Sequence, residues 1–283
     1  MLTTTHTMLK DAQKRGYAVP AINTQGGSYD IIWACCRAAE ETHSPMILAH
    51  YIATGAYSGN DFFVNVAKWC ANKVSVPVAI HLDHGDSFEI CQESLQNGFT
   101  SLMIDGSCLP VEENAELTNR VLMMAHKVDV PVEAEIGELL RLDHPESMRL
   151  AKNVADPEIV QAFLALCSPD SLAIGIGNAH GYYQQEPDIR LDVLEAVRAL
   201  TDIPLVLHGC TGMSCDVVKK AISLGMCKIN FGTEIRYKYM QYLSEGTQMD
   251  FQGHSWKLSQ YANDRLTEDV KDIIRLADSE GKA

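Results

Sequence analysis

The sequence predicts an α/β protein of the (β/α)8 TIM-barrel class. Eight short apolar runs rich in β-branched residues recur along the chain, segments of helical period separate them, and 283 residues suffice for eight such units. The runs are YAVPAIN (17–23), PMILAHY (45–51), VPVAIHL (76–82), SLMIDG (101–106), VPVEAEIG (130–137), SLAIGIG (171–177), PLVLHG (204–209) and CKINFG (227–232). They are apolar along most of their length, as strands covered on both faces must be. A short turn with Pro, Ser or Gly precedes most of them.

The helical segments read in the same order. SYDIIWACCRAAEETH places apolar residues at helical spacing, and VEENAELTNRVLMMAHKV carries acids in its first turn, where they favour the helix dipole. SCDVVKKAISLG has Ser214 to cap its start and Gly225 to stop it. A doubly wound open sheet would instead place a glycine-rich turn after the first strand, and NTQGGSYD imitates that poorly. Two segments break the rhythm. Residues 138–157 are polar and carry no clear strand, the character of a lid or a disordered segment. Residues 248–283 form a C-terminal extension with a helix over SQYANDRLTEDVKDIIRLAD, so residues 1–283 are expected to make a single barrel domain with that helical addition.

Charge and composition narrow the function. A formal net charge of −14 argues against nucleic acid and anionic membrane as partners. No run approaches the roughly 18 apolar residues of a membrane span, and the N-terminus lacks the basic-then-apolar order of a signal peptide. The nine cysteines are odd in number and scattered without a C-x-x-C pair, which suits buried thiols in a reducing compartment. A cytoplasmic location is expected.

In a barrel of this class the active site lies at the C-terminal ends of the strands. The polar residues ending the runs are His81, Asp83 and His84 on the third, Asp105 on the fourth, and Glu133 and Glu135 on the fifth. Asn178 and His180 follow the sixth, His208 the seventh and Asn230 the eighth. His84, His180 and His208 thus come from separate strands, and three imidazoles with one open position form the ligand set of a catalytic divalent metal, foremost zinc. His81, deeper in its strand, is expected to orient its neighbours. The turns HGCTG (208–212) and NFGT (230–233) sit where such barrels hold phosphate, with Gly209, Thr211, Gly212, Gly232 and Thr233 supplying backbone N–H groups and hydroxyls. A metal beside a phosphate cradle suits a small phosphorylated substrate with a carbonyl, and Asp83 suits a proton shuttle.

HLDHG, SLMIDGS, VPVEAEIG, GNAHGYY, LVLHGCTG and KINFGTE, in this order, resemble the class II, metal-dependent ketose-phosphate aldolases, nearest to their tagatose-bisphosphate branch. The resemblance implies that His84, His180 and His208 bind one catalytic zinc ion and that Asp83 exchanges a proton with the C4 hydroxyl of a ketose. It implies contacts to dihydroxyacetone phosphate from Gly181, Gly209, Cys210, Thr211, Asn230, Phe231, Gly232 and Thr233, with a monovalent cation (Na⁺ or K⁺) assisting. Asp105 and Glu135 match acids of an alternate metal position. The products would be dihydroxyacetone phosphate and an aldehyde, from a ketose 1-phosphate or 1,6-bisphosphate. A homodimer or homotetramer is also implied, with the terminal helix a candidate for the contact.

The departures bear on the substrate. The loop after the fifth strand reads GELLRLDHPES, without the family's glycine pair, leaving Asp143 and Glu146 as candidates for its proton-carrying acid and Arg141 as a new, solvated cation. The D-P-R tripeptide whose arginine grips the distal phosphate of bisphosphates is absent from the matching DFQGHSWKL, where only Lys257 could substitute. Cys210 and Thr211 replace an Ala-Ser pair, and Asn178 stands where threonine is common. Lys228, the lone lysine near the mouth, reads as an ion-pair residue at the barrel end, since a metal aldolase needs no Schiff base. The aldehyde is therefore expected to lack a phosphate. Two other readings stand beside this one: a metal-dependent barrel hydrolase, disfavoured because the first strand ends in AIN and not H-x-H, and a non-catalytic aldolase-like accessory subunit, disfavoured by the intact ligand set.

Overall fold

A computed structural model gives the fold and describes residues 1–142, 154–183 and 185–283. The eight runs all become barrel strands: β1 (Val19–Asn23), β2 (Met46–Tyr51), β3 (Val78–Asp83), β4 (Leu102–Ile104), β5 (Val132–Ile136), β6 (Ser171–Ile174), β7 (Leu205–Leu207) and β8 (Met226–Phe231). They pair in parallel in the order β3-β2-β1-β8-β7-β6-β5-β4. The parallel bridges His81↔Ser101 and Gly85↔Ile104 join β3 to β4 and nearly close the ring.

Side-chain alternation sorts each strand into an inner and an outer face. On β3, Val78, Ile80 and Leu82 pack outward into the main core, while Ala79, His81 and Asp83 point to the barrel axis. On β5, Val132, Ala134 and Ile136 face outward, which turns Glu133 and Glu135 inward. The register of β8 against β7 shifts between Met226 and Lys228. Beyond this irregularity Ile229 and Phe231 join the outer core, leaving Lys228 and Asn230 to the interior.

Helix α1 (Thr5–Arg15) closes the N-terminal end: Met8, Leu9 and Ala12 pack with Val19, Ala21, Ile47, Ala79 and Cys227. The outer coat comprises α2 (Tyr29–Glu41), α3 (Asn60–Ala71), α4 (Phe88–Asn97), α5 (Val111–Ala125), α6 (Pro157–Leu166), α7 (Leu191–Leu200), α8 (Cys215–Ser223), α9 (Thr233–Gly246) and α10 (Ser255–Leu276). Ser214 caps α8 as expected, accepting from Val217 N–H at 3.4 Å. Helix α6 begins with Asp156 as N-cap and Pro157 at its first position, so the polar stretch after β5 ends there.

Two expectations need correction. The stretch after β5 does carry a strand, the two residues Leu140–Arg141, which pair in parallel with Ala179–His180. The terminal helix starts at Ser255, four residues earlier than expected, and buries Ala262, Leu266, Val270 and Ile274. It lies against α2 and α9 as part of the coat.

Candidate active site

The ends of β3, β6 and β7 bring three imidazoles together at the barrel mouth. Strand β3 ends at Asp83, and His84 turns the chain with φ +53°, a left-handed conformation uncommon for a residue with a side chain. Its ring centroid lies 4.9 Å from that of His180 and 4.8 Å from that of His208, both edge-to-face. One ligand atom from each of the three lies within 4.8 Å of the others.

Hydrogen bonds decide which nitrogens face the centre. His84 Nδ1 lies 2.7 Å from Asp105 Oδ2, so Nδ1 carries the proton and Nε2 is turned to the site. His208 Nε2 lies 2.9 Å from Glu133 Oε1, which leaves Nδ1 for the site. These two inward nitrogens, His84 Nε2 and His208 Nδ1, are 3.0 Å apart. Two lone pairs that close repel unless a proton or a metal ion sits between them. Ligands of one tetrahedral zinc are about 3.3 Å apart, from bonds of ~2.0–2.1 Å. The donor set therefore fits a divalent metal.

The surrounding charge asks for the same thing. Burial opposes protonation of His84, but the hydrogen bond it donates to Asp105 and the charges of Asp83 and Glu135 push it up to about 10. Burial likewise opposes ionisation of Asp105, and the His84 contact overrides it and holds the carboxyl well below its usual range. Burial, reinforced by Asp105, pushes Glu135 far up. Neither oxygen of Glu135 receives a hydrogen bond among the described residues, and Oε2 is 3.8 Å from His84 Nδ1. His84, Asp105 and Glu135 form a second group of potential metal ligands, which includes the two acids for which the resemblance implies an alternate metal position.

Asp83 adjoins the imidazole cluster. Asn230 Nδ2 donates to its Oδ1 at 3.2 Å and Asn23 Nδ2 approaches its Oδ2 at 3.4 Å, so two amides fix its carboxylate. Burial works against its charge, but His84 and His208 prevail and hold it below the ordinary value. An ionised carboxylate so oriented can accept a proton from a bound hydroxyl.

One pocket joins these groups to the cradle. Asp83, His84 and His180 line it together with Gly181, Gly209, Thr211, Asn230, Phe231, Gly232 and Thr233. Gly209 has φ +65°, and a Cβ there would collide with the carbonyl oxygen of Ala179. Thr211 Oγ1 accepts from Glu234 N–H at 3.3 Å, tying the turn after β7 to the first turn of α9. The N-terminal end of α9 thus opens on the pocket, an arrangement that suits an anion.

Some expected residues lie elsewhere. Cys210 is buried and its thiol points to Leu207 O at 3.5 Å, so only its backbone is near the cradle. Asn178 is structural: it accepts from Ile176 N–H at 2.7 Å and donates to His208 O at 2.9 Å. Lys257 sits over the Trp256 ring and does not line the pocket. Lys228 is not at the barrel end but fully buried inside it, with Nζ 2.9 and 2.8 Å from the two oxygens of Glu133. Asp143 and Glu146 lie outside the described residues, as does any account of the Arg141 side chain.

The pocket also contains residues that sequence reasoning missed. Asn23, Tyr51 and Arg236 line it. Asn23 and Tyr51 end β1 and β2, so the strand-end rule could have found them. Arg236 stands one turn into α9, and no local pattern distinguishes it from a solvated helix residue.

Comparison with known proteins agrees with this geometry. Residues 3–282 match the family model described as fructose-bisphosphate aldolase class-II. The chain belongs to the class II fructose-bisphosphate aldolase family. It is 34% identical, over 97% of each chain, to the D-tagatose-1,6-bisphosphate aldolase subunit GatY of Klebsiella oxytoca. Its fold matches the YdjI aldolase of Escherichia coli K12 with a TM-score of 0.88 and 33% identity over 100% of both chains. It also matches the fructose-bisphosphate aldolase of Campylobacter jejuni, with a TM-score of 0.78 and 20% identity over 100% of this chain and 97% of that one. This class II aldolase is a lyase of a metal-dependent family, which removes the hydrolase reading. No helix among the described residues is long and apolar enough to cross a membrane.

Proposed function

We propose that this aldolase carries out the zinc-dependent, reversible retro-aldol cleavage of a ketose 1-phosphate or 1,6-bisphosphate to dihydroxyacetone phosphate and an aldehyde. The observation that carries the reading is the 3.0 Å approach of two imidazole nitrogens, each turned inward by a carboxylate, beside an oriented Asp83 in a glycine-lined pocket. His84, His180 and His208 would hold the metal, and when bound it supplies a Lewis acid that polarises the C2 carbonyl and offsets the charge left there after bond cleavage.

The remaining work belongs to the protein. Asp83 takes the C4 hydroxyl proton, so that the C3–C4 electron pair can move toward C2 as the C4 carbonyl forms. C3 then takes a proton from an acid, for which Asp143 and Glu146 are the candidates, to give dihydroxyacetone phosphate. Asn230 and Asn23 keep the carboxylate aimed during this transfer. The backbone N–H groups around Gly181, Gly209 and Gly232, with the Thr211 and Thr233 hydroxyls, receive the 1-phosphate. Arg236, one helical turn beyond Thr233, adds a cation to that end. A monovalent cation could share the same phosphate end, and Asp105 and Glu135 offer the metal its alternate position.

The missing D-P-R arginine supports a changed aldehyde end, with an aldehyde that lacks a phosphate. Steady-state kinetics on fructose 1,6-bisphosphate, tagatose 1,6-bisphosphate and singly phosphorylated ketoses test it. A singly phosphorylated ketose should have the highest kcat/KM, and a bisphosphate preferred by orders of magnitude would overturn that part of the reading. Assembly as a homodimer or homotetramer and a cytoplasmic location belong to the same reading, and sedimentation at defined concentration checks the first. One observation favours a variant of it: the Klebsiella relative is named a subunit. If this chain also needs a partner, the purified chain will bind zinc and show weak cleavage that a second protein raises.

A further inference from the structure

Inside the barrel, below the imidazole cluster, lies a polar column that the cleavage chemistry does not use. Lys228, Glu133, His81 and Ser101 are all buried there, with Lys228 and His81 at 0% exposure. Thr5 at the start of α1 meets Ser101, with Oγ1 and Oγ 2.8 Å apart. Ser101 Oγ meets His81 Nδ1 at 2.8 Å, and Lys228 Nζ meets His81 Nε2 at 3.0 Å. Lys228 also donates to both oxygens of Glu133, whose Oε1 then meets His208 Nε2 at 2.9 Å. A continuous chain of hydrogen bonds therefore runs from the barrel floor to an expected metal ligand.

The donor inventory leaves this chain one arrangement. An ammonium has three donors and no acceptor, and here all three are used, on His81 Nε2 and the two Glu133 oxygens. His81 must accept at Nε2, so its proton sits on Nδ1 and points to Ser101. Glu133 is an acceptor only, taking Lys228 at each oxygen, His208 at Oε1 and Ser171 Oγ at 3.3 Å at Oε2. His208 must therefore donate from Nε2, and its Nδ1 lone pair must face the site. Asn230 Nδ2, at a longer 3.4 Å from His208 Nε2, serves Asp83 instead.

We propose that Lys228 is a positioning residue for metal binding: by saturating Glu133 from below, it locks His208 in the tautomer that presents Nδ1 to the metal. A buried lysine at this place in an aldolase barrel invites a covalent role, but its three donors are committed and its surroundings are closed to substrate. Its task is to fix a ligand two contacts away. The inference rests on the proposed three-histidine site, and its test separates the two.

The test uses the full-length chain with Zn²⁺ alone as the probe. Zinc affinity is measured by chelator competition, and the His208 tautomer by ring ¹⁵N shifts in the metal-free protein. Lys228→Met should weaken zinc by about 10- to 100-fold, the usual effect of losing a partner behind a ligand. It should also mix the His208 tautomers. Because that variant leaves a buried carboxylate unpaired and could fail to fold, Lys228→Met with Glu133→Leu removes both charges, a replacement that buried ion pairs often tolerate. The double variant should recover the wild-type unfolding midpoint while zinc affinity stays low and the tautomer stays mixed. Unchanged affinity in a folded Lys228→Met would show that Lys228 only neutralises Glu133, and recovered zinc affinity in the double variant would show that neither residue positions His208; either result would overturn the proposal. A wild-type chain that binds no stoichiometric zinc would instead overturn the metal site itself.

Discussion

Asp83 and Arg236 show how differently two pocket residues earn their place. Asp83 is buried, charged and held by two amides, and its own strand delivers it beside His84. Asp83→Asn keeps the shape and removes the proton acceptor. It should lower kcat by about 10²–10⁴-fold, the range for general acid–base catalysis, with zinc content unchanged. Arg236 is exposed on α9 and contributes charge rather than chemistry. Arg236→Met should raise KM by about 10- to 100-fold, equivalent to ~1.5–3 kcal/mol for hydrogen bonds to a charged group. If the arginine serves the 1-phosphate, the rise will be equal for singly and doubly phosphorylated ketoses; a rise confined to bisphosphates would move it to the aldehyde end. The convergence of the three histidines and Asp83 was legible in the sequence because each lies at the end of a strand run and strand ends converge. Lys228 and Arg236 were not, because burial and helix facing depend on a register irregularity in β8 and on the pose of α9, which the local sequence does not reveal.

At the scale of elements, the barrel follows from period: eight apolar runs gave eight strands, and alternation within β3 and β5 decided which acids and histidines point inward. Boundaries were less legible. The pairing of Leu140–Arg141 with Ala179–His180 involves two residues per strand, too few for any period to register. Cys210 shows the same limit, since its turn was found but the direction of its side chain was not. The α10 start was missed because HSWKL carries weak helix signals, and the helix holds by packing its apolar stripe on α2. Leu266→Ala in that stripe should destabilise the protein by about 2–5 kcal/mol, read from denaturant midpoints, with kcat unchanged at permissive temperature. In the cradle, Gly209→Ala places a methyl against the Ala179 carbonyl in a left-handed backbone. It should weaken substrate binding at least tenfold or lower the unfolding midpoint, and unchanged KM with unchanged stability would remove Gly209 from the cradle.

Over the whole molecule, the negative surface and the positive demand of the mouth are one design. The chain carries a net charge of −14, yet it buries Asp83, Glu133 and Glu135, with Asp105 half-buried beside them, around three histidines and one lysine. Lys228 answers Glu133, His84 faces Asp105, and burial pushes Glu135 far up. The proposed divalent ion among the imidazoles would add positive charge beside Asp83 and Glu135. Its loss should therefore cost stability as well as activity, because Asp83 and Glu135 then lose that charge.

The most direct measurement is metal content and aldol cleavage on the same samples, for the wild type and for His84→Ala, His180→Ala and His208→Ala, before and after exhaustive chelation. The account predicts about one zinc per wild-type chain, its loss in every variant, and cleavage that falls with the metal and returns when Zn²⁺ is restored to the wild type. Full turnover in the chelated wild type, or undiminished zinc in a folded histidine variant, would contradict it.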